Sequence, residues 1–176
     1  QWRRGPGTNE SCTAHSGTMV RRNGKLRLIR VATITGRSST GKGSLPSRVR
    51  VGETIARALA DHYALGIKPD WWKLEPQATA TAWRNIGDVI RQHDPWCRGI
   101  VLLGLEAPEA ELARGFATAA GEPLVKGFAV GRTIFNAAAE GWLAGRITDE
   151  QAVADMAQRF ASLVETWNGV QRRRAV

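Results

Sequence analysis

Cysteine is scarce in this sequence. Cys12 and Cys97 are the only two, which is too few for a disulfide framework and not spaced as a metal cluster. The three histidines, His15, His62 and His93, are scattered without ligand spacing and read as ordinary surface or packing residues. Neither a metal nor an organic cofactor is implied. Long apolar runs are missing too. No stretch approaches the about eighteen apolar residues that a membrane span needs, so no membrane association is expected. No positive-then-apolar leader opens the sequence, and the expected compartment is the reducing cytoplasm. Acidic residues are nearly absent from the first fifty positions, where Glu10 stands alone against 11 lysines and arginines.

What is present fits one globular domain. The chain has 176 residues, 43% of them apolar, enough to bury a real core. The formal net charge of +9 is confined to one end: residues 1–50 carry +10, and residues 51–176 carry 14 basic against 15 acidic side chains. A basic arm can bind nucleic acid, but this one lacks aromatic platforms and regular spacing, so that reading is disfavoured. Its Gly/Ser/Thr/Arg mixture suits burial poorly. The sequence therefore divides into a basic, poorly ordered segment over 1–47 and a folded domain over 48–176.

Regular patterning begins near Val51. Ile55, Leu59, His62 and Tyr63 recur at helical spacing, with Gly66 as a stop. Residues 70–75 read as a strand, and 79–93 return to a helical period through Trp83, Ile86 and Ile90. The run Gly99-Ile-Val-Leu-Leu-Gly104 is continuously apolar, as in a strand of a parallel sheet covered on both faces. Pro108 opens a helix with Leu112, Phe116 and Ala119 inward, and Gly121 closes it. A strand over Leu124–Val130 leads through Gly131-Arg132-Thr133 into a helix with Phe135, Ala139 and Trp142. Gly145 stops that helix. Thr148 and Gln151 have capping-box spacing for a last helix carrying Val153, Met156, Phe160, Leu163 and Trp167. The alternation predicts βαβ units and a parallel sheet of three strands, with Leu26–Thr35 a candidate fourth. A closed (β/α)8 barrel takes about 250 residues, so the pattern corresponds to the C-terminal part of one, incomplete.

Four segments carry candidate chemistry. In Pro69-Asp-Trp-Trp-Lys-Leu-Glu-Pro76 a lysine stands among apolar neighbours. Stripping water from an ammonium is costly and favours the neutral amine, the form that attacks a carbonyl to make a Schiff base. The competing reading is a packed stem whose head reaches solvent. In Lys126-Gly-Phe-Ala-Val-Gly-Arg-Thr133 a strand ends at a glycine before a helix. The unpaired N–H groups there favour an anion, Gly131 permits close approach, and Arg132 could grip a phosphate in two places. The competing reading is a plain strand-to-helix turn. Gly104 and Glu106 follow a strand's C-terminal end, where barrel enzymes do their chemistry, whereas Asp94 and Arg98 precede it. Finally, Gly36 to Lys42 has P-loop spacing, but Gly43 replaces the magnesium-binding Ser/Thr and Pro46 interrupts the expected helix, so a nucleotide site is disfavoured.

Together PDWWKLEP, DPWCRGIVLLGLEAPEAEL, VKGFAVGRTIF and WLAGRITDEQAVADMAQRF resemble the C-terminal domain of bacterial inositol-catabolism proteins, in which a 5-dehydro-2-deoxygluconokinase precedes it. The resemblance runs from about Val51 to Trp167. That domain is similar in turn to class I tagatose-1,6-bisphosphate aldolases, (β/α)8 barrels that use a Schiff-base lysine. The resemblance implies an aldolase-like barrel that cleaves 6-phospho-5-dehydro-2-deoxygluconate without a metal. Lys73 would be the nucleophile with Glu75 beside it, and Gly104, Gly131, Arg132 and Thr133 would hold the phosphorylated ketose-type substrate. Lys126 falls on a non-catalytic position. One feature departs from the pattern. The family's preceding strand carries a carboxylate, and residues 40–46, where that strand is expected, contain no acid. The alternative is a non-catalytic sugar-phosphate-binding module or an accessory to the sugar kinase. Exposed edges of a partial barrel would also favour a homo-oligomer.

Overall fold

The computed structural model describes residues 10–22, 25–36, 53–104 and 107–174. Two long strands, β1 (Glu10–Arg22) and β2 (Lys25–Gly36), pair antiparallel. Then come α1 (Thr54–Ala64), β3 (Trp71–Leu74), α2 (Ala80–His93), β4 (Gly99–Leu102), α3 (Glu109–Ala119), β5 (Val125–Phe128), α4 (Arg132–Leu143) and α5 (Asp149–Arg174). The sheet order is β1-β2-β3-β4-β5, and every pair from β2 onward is parallel. The architecture is therefore α/β, a four-stranded parallel sheet alternating with helices and edged by one antiparallel strand. No helix among the described residues is long and apolar enough to cross a membrane.

The alternation expected from α1 to α5 is present in the expected order, and β2 falls on the candidate strand Leu26–Thr35. The segment expected to be poorly ordered thus supplies two strands. β1 has no counterpart in the sequence reading, because a mixture of Gly, Ser, Thr and Arg shows no two-residue alternation. Sheet pairing alone can hold such a strand, since the partner satisfies its backbone groups. The P-loop-like stretch after Gly36 lies outside the described residues, as does Glu106.

Burial alternates along the strands. Ala32, Ile34, Trp72, Leu74, Ile100 and Leu102 are all 0–3% exposed and share one core with Leu59, Trp83, Ile86, Ile90, Leu112 and Phe116 from the helices. Strands in sequential order with right-handed crossovers place their helices on one face, which accounts for that core. Each fully buried aliphatic side chain contributes about 1.5–3 kcal/mol. The Trp72 indole N–H donates to the Tyr63 hydroxyl at 2.7 Å, so this buried side chain keeps its polar atom satisfied. The equally buried Trp83 indole N–H has no hydrogen-bond partner among the described residues. Burial pushes the Tyr63 phenol well above its ordinary range. Phe116 stacks on Phe128 at 5.2 Å and meets Trp167 edge-on at 5.4 Å, which fastens α5 to the end of the sheet.

Local signals set the helix ends. Gly66 (φ +77°) and Gly145 (φ +67°) adopt the left-handed backbone that ends α1 and α4. Thr148 and Gln151 bond reciprocally, the Gln151 N–H to Thr148 Oγ1 and the Thr148 N–H to Gln151 Oε1, as the capping-box spacing predicts. The apolar periodicity of the last two helices is less completely buried. Phe135, Trp142, Val153 and Phe160 are exposed, while Leu163 and Val170 enter the core.

Candidate functional site

Trp72 and Leu74 point into the helix-covered core, so Lys73 between them projects from the other face of β3. Register fixes its surroundings. Thr33 of β2 lies opposite Lys73 on one side and Val101 of β4 on the other, and Gly127 of β5 lies opposite Val101. Thr33, Lys73, Val101 and Gly127 form a row across this face, each partly buried rather than enclosed. A Cβ added at Gly127 would meet nothing within 4 Å, so there is open space two strands from the lysine. The row below runs Val31, Trp71, Gly99. The Lys126 stem closes its end, with Cγ 2.8 Å from where a Gly99 Cβ would stand.

Glu75 follows β3 directly and is half-buried, and its carbonyl accepts a bond from Gln77 Nε2 at 3.0 Å. Two residues beyond Lys73, it stands at the C-terminal edge of the sheet. At that edge the segments after β4 and β5 touch. A Cβ on Gly104 would lie 2.8 Å from Val130 Cγ1 and 3.4 Å from Thr133 Oγ1. The Thr133 hydroxyl donates to the Ala107 carbonyl at 3.3 Å.

Gly131 caps α4, and its carbonyl accepts the N–H groups of Ile134 and Phe135 at 2.7 and 3.1 Å. The N–H groups of Arg132 and Thr133 stand in the first turn, where a helix end attracts an anion. Arg132 is exposed and Thr133 half-buried. Gly104, Gly131, Arg132 and Thr133 are therefore neighbours. Lys73 and Glu75 lie beside the Gly104 segment and one intervening strand, roughly 10 Å across the sheet, from Gly131, Arg132 and Thr133.

The opposite, N-terminal edge is structural. Asp70 Oδ2 accepts the Arg30 N–H at 2.8 Å, and its carbonyl accepts the Arg98 N–H at 2.8 Å, which ties β2, β3 and β4 together. Asp94 is buried beyond α2 and accepts the Trp96 N–H at 3.2 Å. The Cys97 thiol donates to the carbonyls of Gly99 at 3.7 Å and Asp70 at 3.9 Å, and burial pushes it up to about 11, away from nucleophilic use. Glu122, 2% exposed, accepts Arg91 at 2.8 Å and the Leu124 N–H at 3.0 Å. Among the described residues no His, Cys, Asp or Glu cluster is grouped as for a metal ion.

Sequence reasoning passed over Thr33, Val101 and Gly127. The signal that could have found them is the two-residue period of the strands, but it becomes usable only when the register between strands is known.

The profile of a family described as "Uncharacterized protein conserved in bacteria (DUF2090)" matches residues 44–172. No curated protein matches the chain.

Proposed function

The chain belongs to this DUF2090 family, and on that footing we propose that it binds a phosphorylated ketose-type substrate as a Schiff base on Lys73, in the manner of class I aldolases. The parallel sheet is then a segment of a (β/α)8 barrel, with the second face of the sheet as the barrel interior. The observation that carries the reading is the position of Lys73. It stands on the middle of the parallel sheet, on the face away from the core, below a C-terminal edge that holds a helix N-terminus, an arginine and two glycines.

In this reading the Lys73 amine adds to the ketone carbon, and water leaves to give an iminium. The iminium accepts the electron pair of the neighbouring carbon–carbon bond as that bond breaks. A carboxylate, Glu75, takes the proton from the hydroxyl that becomes the aldehyde. Protonation of the enamine and hydrolysis then return the amine and release the phosphorylated ketone. For 6-phospho-5-dehydro-2-deoxygluconate the products are dihydroxyacetone phosphate and malonate semialdehyde. The first turn of α4 with Arg132 holds the phosphate.

Borohydride treatment with dihydroxyacetone phosphate tests this directly. A reduced adduct on Lys73, absent in Lys73→Ala, is the expected result. An adduct that persists in Lys73→Ala, or no adduct on folded protein, overturns it.

One observation favours a second reading. Arg132, exposed in the first turn of α4, can hold a phosphate without any chemistry at Lys73, which suits a sugar-phosphate-binding module or a kinase accessory. Phosphate-ester binding that survives Lys73→Met but is lost in Arg132→Ala would select it.

A further inference from the structure

We propose that Thr33 is a catalytic residue of the Lys73 site, its hydroxyl binding the substrate's carbonyl oxygen while the amine adds to the carbonyl carbon. The inference rests on the aldolase reading above and names a residue that reading does not contain.

Three observations converge on Thr33. Its Cα pairs in register with that of Lys73 on the adjacent parallel strand. Ala32 and Ile34 on either side of it are 3% and 0% exposed in the core, so Thr33 projects from the same face as the lysine. The other side of the row offers Val101 and Gly127, which bring no polar side-chain atom. Among the described residues of this row, the Thr33 hydroxyl is the polar group beside the lysine. Neighbouring strands lie about 4.8 Å apart, and a lysine stem can fold its amine back over an adjacent residue.

The chemistry needs such a group. As Lys73 Nζ bonds to the carbonyl carbon, the π pair of the C=O bond moves to oxygen and a proton must leave nitrogen. A hydroxyl can accept the proton from nitrogen while donating its own to the oxygen. The product is a neutral carbinolamine, and the threonine is unchanged. The carbinolamine hydroxyl then leaves as water with a proton drawn from solvent. Thr33 lies before residue 44, where the family match begins, so this part of the site comes from the N-terminal hairpin.

The bland account of Thr33 is its β-branched fit to a strand, which Thr33→Val preserves and Thr33→Ser weakens. The test measures, on the full chain, the rate of borohydride-trapped adduct formation on Lys73 with dihydroxyacetone phosphate. Thr33→Val is expected to slow it roughly tenfold or more, a smaller loss than the factor of about 10²–10³ seen when an oxyanion-hole donor is removed, while Thr33→Ser stays close to the parent. If Thr33→Val forms adduct at the parental rate, or Thr33→Ser is as slow as Thr33→Val, the inference falls and the Lys73 reading stands. If the parent protein forms no adduct on Lys73, both fall together.

Discussion

Trp72 and Tyr63 join strand to helix through one hydrogen bond, the indole N–H to the phenol oxygen at 2.7 Å, and the next residue along the strand is Lys73. The two rings also meet edge-on at 5.7 Å. The position of the proposed nucleophile is thus anchored from the opposite side of the sheet. Whatever loosens Trp72 loosens the lysine.

Tyr63→Phe keeps the ring and removes the acceptor, leaving a buried indole N–H unpaired. The expected cost is about 1–3 kcal/mol, measured as a lower urea midpoint with an unchanged slope. No loss of stability would mean that the bond contributes little beyond packing.

Gly104→Ala places a methyl group where Val130 Cγ1 lies 2.8 Å away, so the Val130 side chain or the segment that carries it must shift. Phosphate-ester binding should weaken several-fold, while far-ultraviolet circular dichroism stays that of the parent. Gly127→Ala, with nothing within 4 Å of the new atom, is the control and should leave binding within about twofold.

The Arg91 guanidinium serves two carboxylates of unequal burial. The Glu122 side chain is 1% exposed and the Asp88 side chain 73%. Arg91→Ala leaves the buried one uncompensated and should cost about 2–3 kcal/mol, less than a fully enclosed pair because the arginine is itself half-exposed. Asp88→Ala should cost under about 0.5 kcal/mol. Equal losses from the two substitutions in thermal unfolding would contradict this account. Gly87→Ala should resemble Arg91→Ala, because its methyl group would overlap the Glu122 carboxylate.

Alkaline pH should destabilise the fold. Burial raises the Cys97 thiol from its ordinary value near 9.0 to about 11, so the folded state holds this proton more tightly than the unfolded chain. The corresponding stability is complete below about pH 9 and is lost as the pH rises through about 11. Tyr63 contributes in the same direction at higher pH. In thermal scans between pH 8 and 11, Cys97→Ala should lose less stability over that interval than the parent. An equal loss would assign the alkaline instability to other groups.

Much of the fold was legible in the sequence because local signals had local causes. Gly66 and Gly145 stop helices through their backbone, Thr148 and Gln151 cap one through reciprocal bonds, and the apolar run at Gly99–Leu102 is a strand. The Lys73 segment stood out for the same reason, since a lysine between a buried tryptophan and a buried leucine is conspicuous in the sequence alone. Hydrophobic periodicity said less about α4 and α5. It marks which residues share a helix face but not whether another element covers that face, and Phe135 and Phe160 remain exposed.

The sequence by itself determined the alternation of helices and strands, the ends of several helices and the place of one lysine between a tryptophan and a leucine. Those features depend on backbone preference and on contacts between residues a few positions apart. Only the tertiary structure decided that Thr33 stands beside Lys73, that Gly104 meets Val130, and that the basic N-terminal segment supplies a strand to the sheet. Each of these joins residues distant in the chain. The side-chain period of a strand is two whatever its partner, so register is set by pairing and packing between strands rather than by any one strand's residues.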